Sequence, residues 1–247
     1  MLLGGAYASR SRARGKFRNA RTDELPDSPF VARPLLEFGY AAIRGMGQAA
    51  IRLHMTANFC TALSVVLGVA AAWLIAVGHL VIGGLLLLFG ASFDSLDGII
   101  ARQTGTASDA GELLDATADR VSDAAGFLGL MFYYRDDSFA FTLCCSALVG
   151  SLLVSYVRAK GEAMGVDCAV GWMQRYERVV WLGAGLLLGP LAARWLEPDV
   201  TDPRYHVLLV AVAIIAIFSL VTAVQRTRLV YRALVARRSS GHGARQA

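Results

Sequence analysis

Four aspartates in the segment FDSLDGIIARQTGTASDAGELLDATADR are spaced for joint chemistry. Asp94 and Asp97 are three residues apart and Asp115 and Asp119 four apart, so on two helices each pair falls on one face. Carboxylates that converge beside a strongly apolar run are costly unless something positive sits among them. One or two hard divalent cations, Mg2+ or Mn2+, bound through oxygen, would meet that need, with Asp94, Asp97, Asp115 and Asp119 as the candidate ligands. Gly98, Ala101 and Gly111 leave room for close approach of a bulky ligand or a second helix. Arg102, four residues beyond Gly98, can offer its planar fork to a phosphate oxygen. Carboxylates, metal and arginine together describe a diphosphate site, and with two ions the reaction class is displacement at phosphorus.

The elements that carry these residues are hydrophobic. Of 247 residues 55% are apolar, and the mean hydropathy of +0.49 is too high for an ordinary soluble domain. The apolar residues come in long blocks, which predicts an all-α, polytopic membrane protein with six spans near 58–78, 80–101, 111–134, 139–163, 179–196 and 206–226. An amphipathic helix over about 29–52 precedes them, mixing apolar side chains with Arg33, Glu37, Arg44 and Arg52, and is expected to lie in the membrane interface. The expected division is a basic disordered tail over 1–27, a membrane domain over 28–228 and a second basic tail over 229–247. Spans two and three each carry two of the motif aspartates near one end, and those ends meet across a short loop, so the motif sits at a membrane surface.

Charge distribution says which surface. With six spans, 21 of the 24 Lys and Arg fall on the motif side, which the positive-inside rule makes cytoplasmic, at the plasma or inner membrane if the source is bacterial. The net charge of +5 is thereby explained by topology, and nucleic acid is not an expected partner. The four cysteines show no CxxC or zinc spacing and the four histidines are scattered, so neither a zinc centre nor a His-based triad is expected. An ion or proton transporter is the reading from another class. It is disfavoured because the carboxylates cluster at one edge and the middles of spans one, four, five and six carry no ionisable residue. Small-residue spacings at Gly126, Gly129, Gly183, Gly185 and Gly189 suit helix packing or a dimer contact.

The skeleton from Asp94 to Asp119 resembles the signature of the CDP-alcohol phosphotransferase family at all eight fixed positions: Asp94, Asp97, Gly98, Ala101, Arg102, Gly111, Asp115 and Asp119. The resemblance implies a six-helix membrane enzyme that works as a homodimer. It implies transfer of a phosphatidyl group from CDP-diacylglycerol to an alcohol, with loss of CMP. Asp94, Asp97 and Asp115 would be metal ligands, and Asp119 a ligand and the general base. Gly98, Ala101, Arg102 and Gly111 would line the cytidine and diphosphate pocket. Asn58 matches a nucleotide-side Asn of the family, with Ala57 before it where relatives often have Pro; its alternative role is a helix N-cap.

Acceptor choice is expected to lie in SYVRAKGEAMGVDCAVGWMQRYERVV, whose Arg158, Lys160, Arg175 and Arg178 could bind a phosphorylated acceptor. The plainer role is positive-inside charge with an Arg158–Glu162 helix pair. This stretch resembles the phosphatidylinositol-phosphate synthase branch, which implies inositol 1-phosphate as acceptor. Relatives favour Lys then Arg where this chain has Arg158 then Lys160, and Glu-Arg where it has Gln174–Arg175. Phosphatidylglycerophosphate and phosphatidylserine synthases of the same family are the alternatives. Asp123, one turn beyond Asp119, either braces the site or is a buried polar residue with a local partner.

Overall fold

A computed structural model describes residues 33–198 and 203–243, which form seven helices with no strand among them. They are α1 (Arg33–Arg52), α2 (Ala57–Ala76), α3 (Leu80–Thr104), α4 (Asp109–Tyr133), α5 (Ser138–Ala163), α6 (Arg175–Leu196) and α7 (His206–Gly243). Among the described residues α2, α3, α5, α6 and α7 are long and apolar enough to cross a membrane. The segment expected as a further span, 111–134, is helical as the 25-residue α4 but is not among them. Asp109, Glu112, Asp115, Asp119, Arg120 and Asp123 all fall before its last ten residues, which makes it too polar. The expected tail over 1–27 lies outside the described residues.

Helices α2 to α7 close into a ring: α2 packs on α3, α3 on α6, α6 on α7, α7 on α5, α5 on α4, and α4 back on α2. Their shared core runs through Ile75, Leu87, Phe127, Leu130, Leu186, Val212 and Ile215, all buried. Trp73, Phe132, Phe139 and Ile217 point outward, as side chains facing lipid would. Close approach between helices depends on glycine. A Cβ on Gly129 would lie 2.5 Å from the Ala72 carbonyl oxygen, and one on Gly183 2.5 Å from Leu88 Cδ2, so these positions join α4 to α2 and α6 to α3 inside one chain.

The loops fit the chemistry of their residues. Gly105 ends α3 with φ of 69°, in the left-handed region, and Ser108 opens α4 by accepting a bond from the Gly111 N–H at 3.2 Å. Together they make the short α3–α4 turn that sets the two halves of the motif side by side. Thr56, not Asn58, caps α2, its hydroxyl accepting from Phe59 N–H at 3.3 Å. Helix α1 packs on α3 through a cluster that includes Ile43, Met46, Ala50, Leu96 and Ile100.

The C-terminal region departs from expectation. Rather than ending near 226, α7 continues to Gly243. The segment RTRLVYRALVARR is rich in helix formers, and its Val230 packs with Val166 and Cys168 of the α5–α6 loop. Arg237 donates to the Met164 and Gly165 carbonyls at 2.9 and 2.6 Å, satisfying groups at the C-terminal end of α5.

Candidate active site

Asp94, Asp97 and Asp115 come together where α3 meets α4, with one oxygen of each within 4.8 Å of the others. Asp94 and Asp97 are buried on α3. Asp97 is held from two sides: Thr61 on α2 donates its hydroxyl to Oδ2 at 2.6 Å, and Gly98 N–H donates to Oδ1. Asp94 Oδ1 is buried and accepts no hydrogen bond. The donor set is all oxygen, closely spaced, and includes a buried carboxylate atom without a partner, and this fits a hard divalent cation. Thr61 has no place in the sequence motif. It could be found only by asking which residue on the first span faces Asp97.

The fourth motif aspartate is joined to this group through an arginine. Asp119 lies 2.8 Å from Arg175 Nη1, and the same nitrogen bonds to Asp94. Arg175 Nε reaches Asp123 Oδ1 at 3.3 Å, while Arg178 Nη2 reaches Asp123 Oδ2 at 2.8 Å. Arg178 and Asp123 are almost wholly enclosed, at 3% and 9% side-chain exposure. An isolated charge there would be costly, so each requires the other. Asp115, Asp119 and Asp123 repeat every four residues along α4, which puts all three on the face that meets α6 and the cluster.

Two large cavities flank the carboxylates. The smaller, about 410 Å³, is lined by Asn58, Asp97, Gly98, Ala101, Arg102 and Gly111, together with Asp115. Gly98 leaves space for the Arg102 guanidinium, which would sit 3.3 Å from any Cβ there. The larger, about 690 Å³, is lined by Asp119, Arg158, Arg175, Arg178 and Arg226, again with Asp115. Asp115 thus stands on the wall of both. Lys160 is exposed and does not line the larger cavity; Arg158 does, while pairing with Glu162 at 2.9 Å.

Helix α7 positions the start of α6. Thr222 accepts from the Trp172 and Met173 N–H groups at 3.2 Å each, next to Gly171 at φ of 120°. Arg226 donates to the Val170 carbonyl at 2.7 Å and the Val154 carbonyl at 3.0 Å. Glu177 accepts from Gln174 N–H at 2.6 Å, forming a capping box at the N-terminus of α6. These contacts pin the α5–α6 loop, and so set where Arg175 and Arg178 enter the site. By sequence Arg226 counts only as part of the positive charge on the motif side. The signal that identifies it is Ser219, Thr222 and Arg226 at three- and four-residue spacing on one face of a mostly apolar helix.

The family model described as CDP-alcohol phosphatidyltransferase matches residues 54–224. The chain is 35% identical over 189 residues to a phosphatidylinositol phosphate synthase of Mycobacterium tuberculosis, covering 73% of this chain and 82% of that one. It is 36% identical over 152 residues to an archaetidylinositol phosphate synthase of Methanothermobacter thermautotrophicus, covering 58% and 72%. Among solved structures, the Mycobacterium tuberculosis phosphatidylinositol phosphate synthase with CDP-DAG bound matches with a TM-score of 0.63 at 29% identity, over 76% of this chain and 93% of that chain. The same synthase in complex with manganese and citrate matches with a TM-score of 0.65 at 30% identity, over 76% and 88%.

Proposed function

The chain belongs to the CDP-alcohol phosphatidyltransferase family, and from that membership we propose that it transfers a phosphatidyl group from CDP-diacylglycerol to inositol 1-phosphate, giving phosphatidylinositol phosphate and CMP. It is an integral membrane transferase of phospholipid biosynthesis. The observation that carries the proposal is the shared wall: Asp115 borders both the smaller cavity, with the motif's Gly98, Ala101, Arg102 and Gly111, and the larger, arginine-lined one.

In this reading the smaller cavity takes the cytidine and diphosphate, with Arg102 on a phosphate oxygen and Asn58 on the nucleotide side. The larger takes the acceptor, its phosphate held by Arg158, Arg175 and Arg178, with Arg226 as a fourth guanidinium on the same wall. Lys160, lying off that wall, contributes general positive charge near the entrance. Asp119 borders the larger cavity and not the smaller, which is the correct side for a base that takes the acceptor hydroxyl's proton. The hydroxyl oxygen attacks the diacylglycerol-bearing phosphorus in line, and the bond to the CMP oxygen breaks. Asp94, Asp97, Asp115 and Asp119 would hold the Mg2+ or Mn2+ ions, two in number, which supply charge stabilisation to the attacked phosphoryl group and to the departing CMP. The site faces the cytoplasm by the distribution of Lys and Arg, α1 lies in the interface, α4 completes a six-span bundle, and the enzyme works as a homodimer.

The test is a panel of acceptors offered to the purified protein with labelled CDP-diacylglycerol: inositol 1-phosphate, free inositol, glycerol 3-phosphate and serine. Inositol 1-phosphate is expected to give the lipid product, and EDTA to abolish it. Product from glycerol 3-phosphate or serine instead would overturn the acceptor assignment while leaving the phosphatidyl transfer in place.

A further inference from the structure

Arg175 occupies an unusual position. A single nitrogen, Nη1, bonds Asp94 and lies 2.8 Å from Asp119, while Nε rests 3.3 Å from Asp123. Asp94 therefore belongs to two sets at once: the three-carboxylate group with Asp97 and Asp115, and the pair bridged by Arg175. Arg175 takes Asp94 Oδ2 and leaves Oδ1 open, so a divalent cation on Oδ1 would share one carboxylate with the guanidinium, and two positive charges that close repel strongly in a poorly hydrated site. Asp123 differs from the others. It is held by Arg178 at 2.8 Å, lies outside the three-carboxylate group, and lines the wall behind the site.

We propose that Arg175 is an exchangeable counter-ion for the metal site, neutralising Asp94 and Asp119 until a divalent cation takes them, and that Asp123 then retains Arg175 at the wall of the larger cavity. The inference rests on the reading of the aspartates as metal ligands and adds a role for Arg175 and Asp123 as positioning residues. It gives the arrangement a purpose that packing alone does not: the same guanidinium that the cation displaces already borders the acceptor cavity. Metal loading and acceptor recognition are coupled through one side chain, and such coupling is reciprocal by thermodynamic necessity.

The proposal predicts opposite signs for two variants, measured as Mn2+ affinity of the detergent-purified protein by titration of the free-ion electron paramagnetic resonance signal. Arg175→Gln removes the competitor, and Mn2+ binds about tenfold tighter than to wild type. Asp123→Asn removes the alternative partner, so Arg175 leans harder on Asp94 and Asp119 and Mn2+ binds several-fold more weakly, about fivefold. In the double variant the weakening disappears and the affinity returns to that of Arg175→Gln, a non-additive cycle. Arg175→Lys keeps the charge without the fork, gives a smaller tightening, and carries the test where the Gln variant does not fold. Weaker or unchanged Mn2+ binding in the Arg175 variants, with wild-type binding intact, overturns the counter-ion role and leaves the metal site standing. A wild-type protein that binds no Mn2+ overturns both.

Discussion

At the scale of single residues, the four motif aspartates divide by what they face. Asp97 is fixed from α2 by Thr61 and borders the smaller cavity, whereas Asp119 borders the larger one beside Arg175. An alcohol hydroxyl is a poor nucleophile at neutral pH, so in the proposed reaction the carboxylate bordering the larger cavity has most to contribute to its activation. Asp119→Asn keeps the size and removes the proposed base. CMP release is expected to fall by roughly 10²-fold or more, with the melting temperature and elution volume close to wild type; near-wild-type turnover would refute the assignment. The identity and spacing of these aspartates are legible in the sequence because the chemistry needs them. Their partners are not: Thr61 lies 36 positions before Asp97 and Arg175 lies 81 beyond Asp94, separations that only the helix packing brings to contact.

At the scale of elements, the candidate site is braced by a helix that carries no motif residue. Helix α7 holds the α5–α6 loop through Thr222 and Arg226, and that loop delivers Arg175 and Arg178. Thr222→Val preserves shape but leaves two amide N–H groups without their acceptor, a cost of about 1–3 kcal/mol. The expected outcome is a lowered melting temperature together with a raised KM for the acceptor and an unchanged KM for CDP-diacylglycerol, read from steady-state kinetics. The helices themselves are largely legible, since long apolar runs allow few other structures in a bilayer. What hydropathy misses is where a helix leaves the apolar zone: α6 begins at Arg175 and α7 continues past Arg226 because capping and packing on the loop sustain them. Helix α4 shows the reverse effect, its aspartates lowering the hydropathy of a helix that is itself a member of the ring.

At the scale of the molecule, the two ends of the bundle are built differently. One end gathers the carboxylates, arginines and both cavities. The other is fastened by a polar clasp between the α4–α5 and α6–α7 connections: Arg204 Nε donates to Asp137 at 2.8 Å, its backbone N–H donates to Glu197, and the Tyr134 hydroxyl donates to the Arg204 carbonyl at 2.9 Å. The Arg204 side chain, with help from the Ala140 and Phe139 N–H groups, holds the Asp137 carboxyl below the usual carboxylate range. A carboxylate depressed on folding contributes stability above its unfolded pKa, about 4, and loses it as pH falls through the lower folded value. Arg204→Gln should therefore melt below wild type at neutral pH, with the gap closing as the pH is taken below about 4, as thermal melts across that range would show. A gap independent of pH would place the effect in packing instead.

In the proposed reaction one site, between two cavities, passes a phosphatidyl group directly from CDP-diacylglycerol to an alcohol. The most direct measurement is CMP release from labelled CDP-diacylglycerol by the purified protein with divalent metal, with and without inositol 1-phosphate. Direct attack predicts CMP in step with phosphatidylinositol phosphate when the acceptor is present, and neither product without it. Stoichiometric CMP release in the absence of any acceptor would contradict the account.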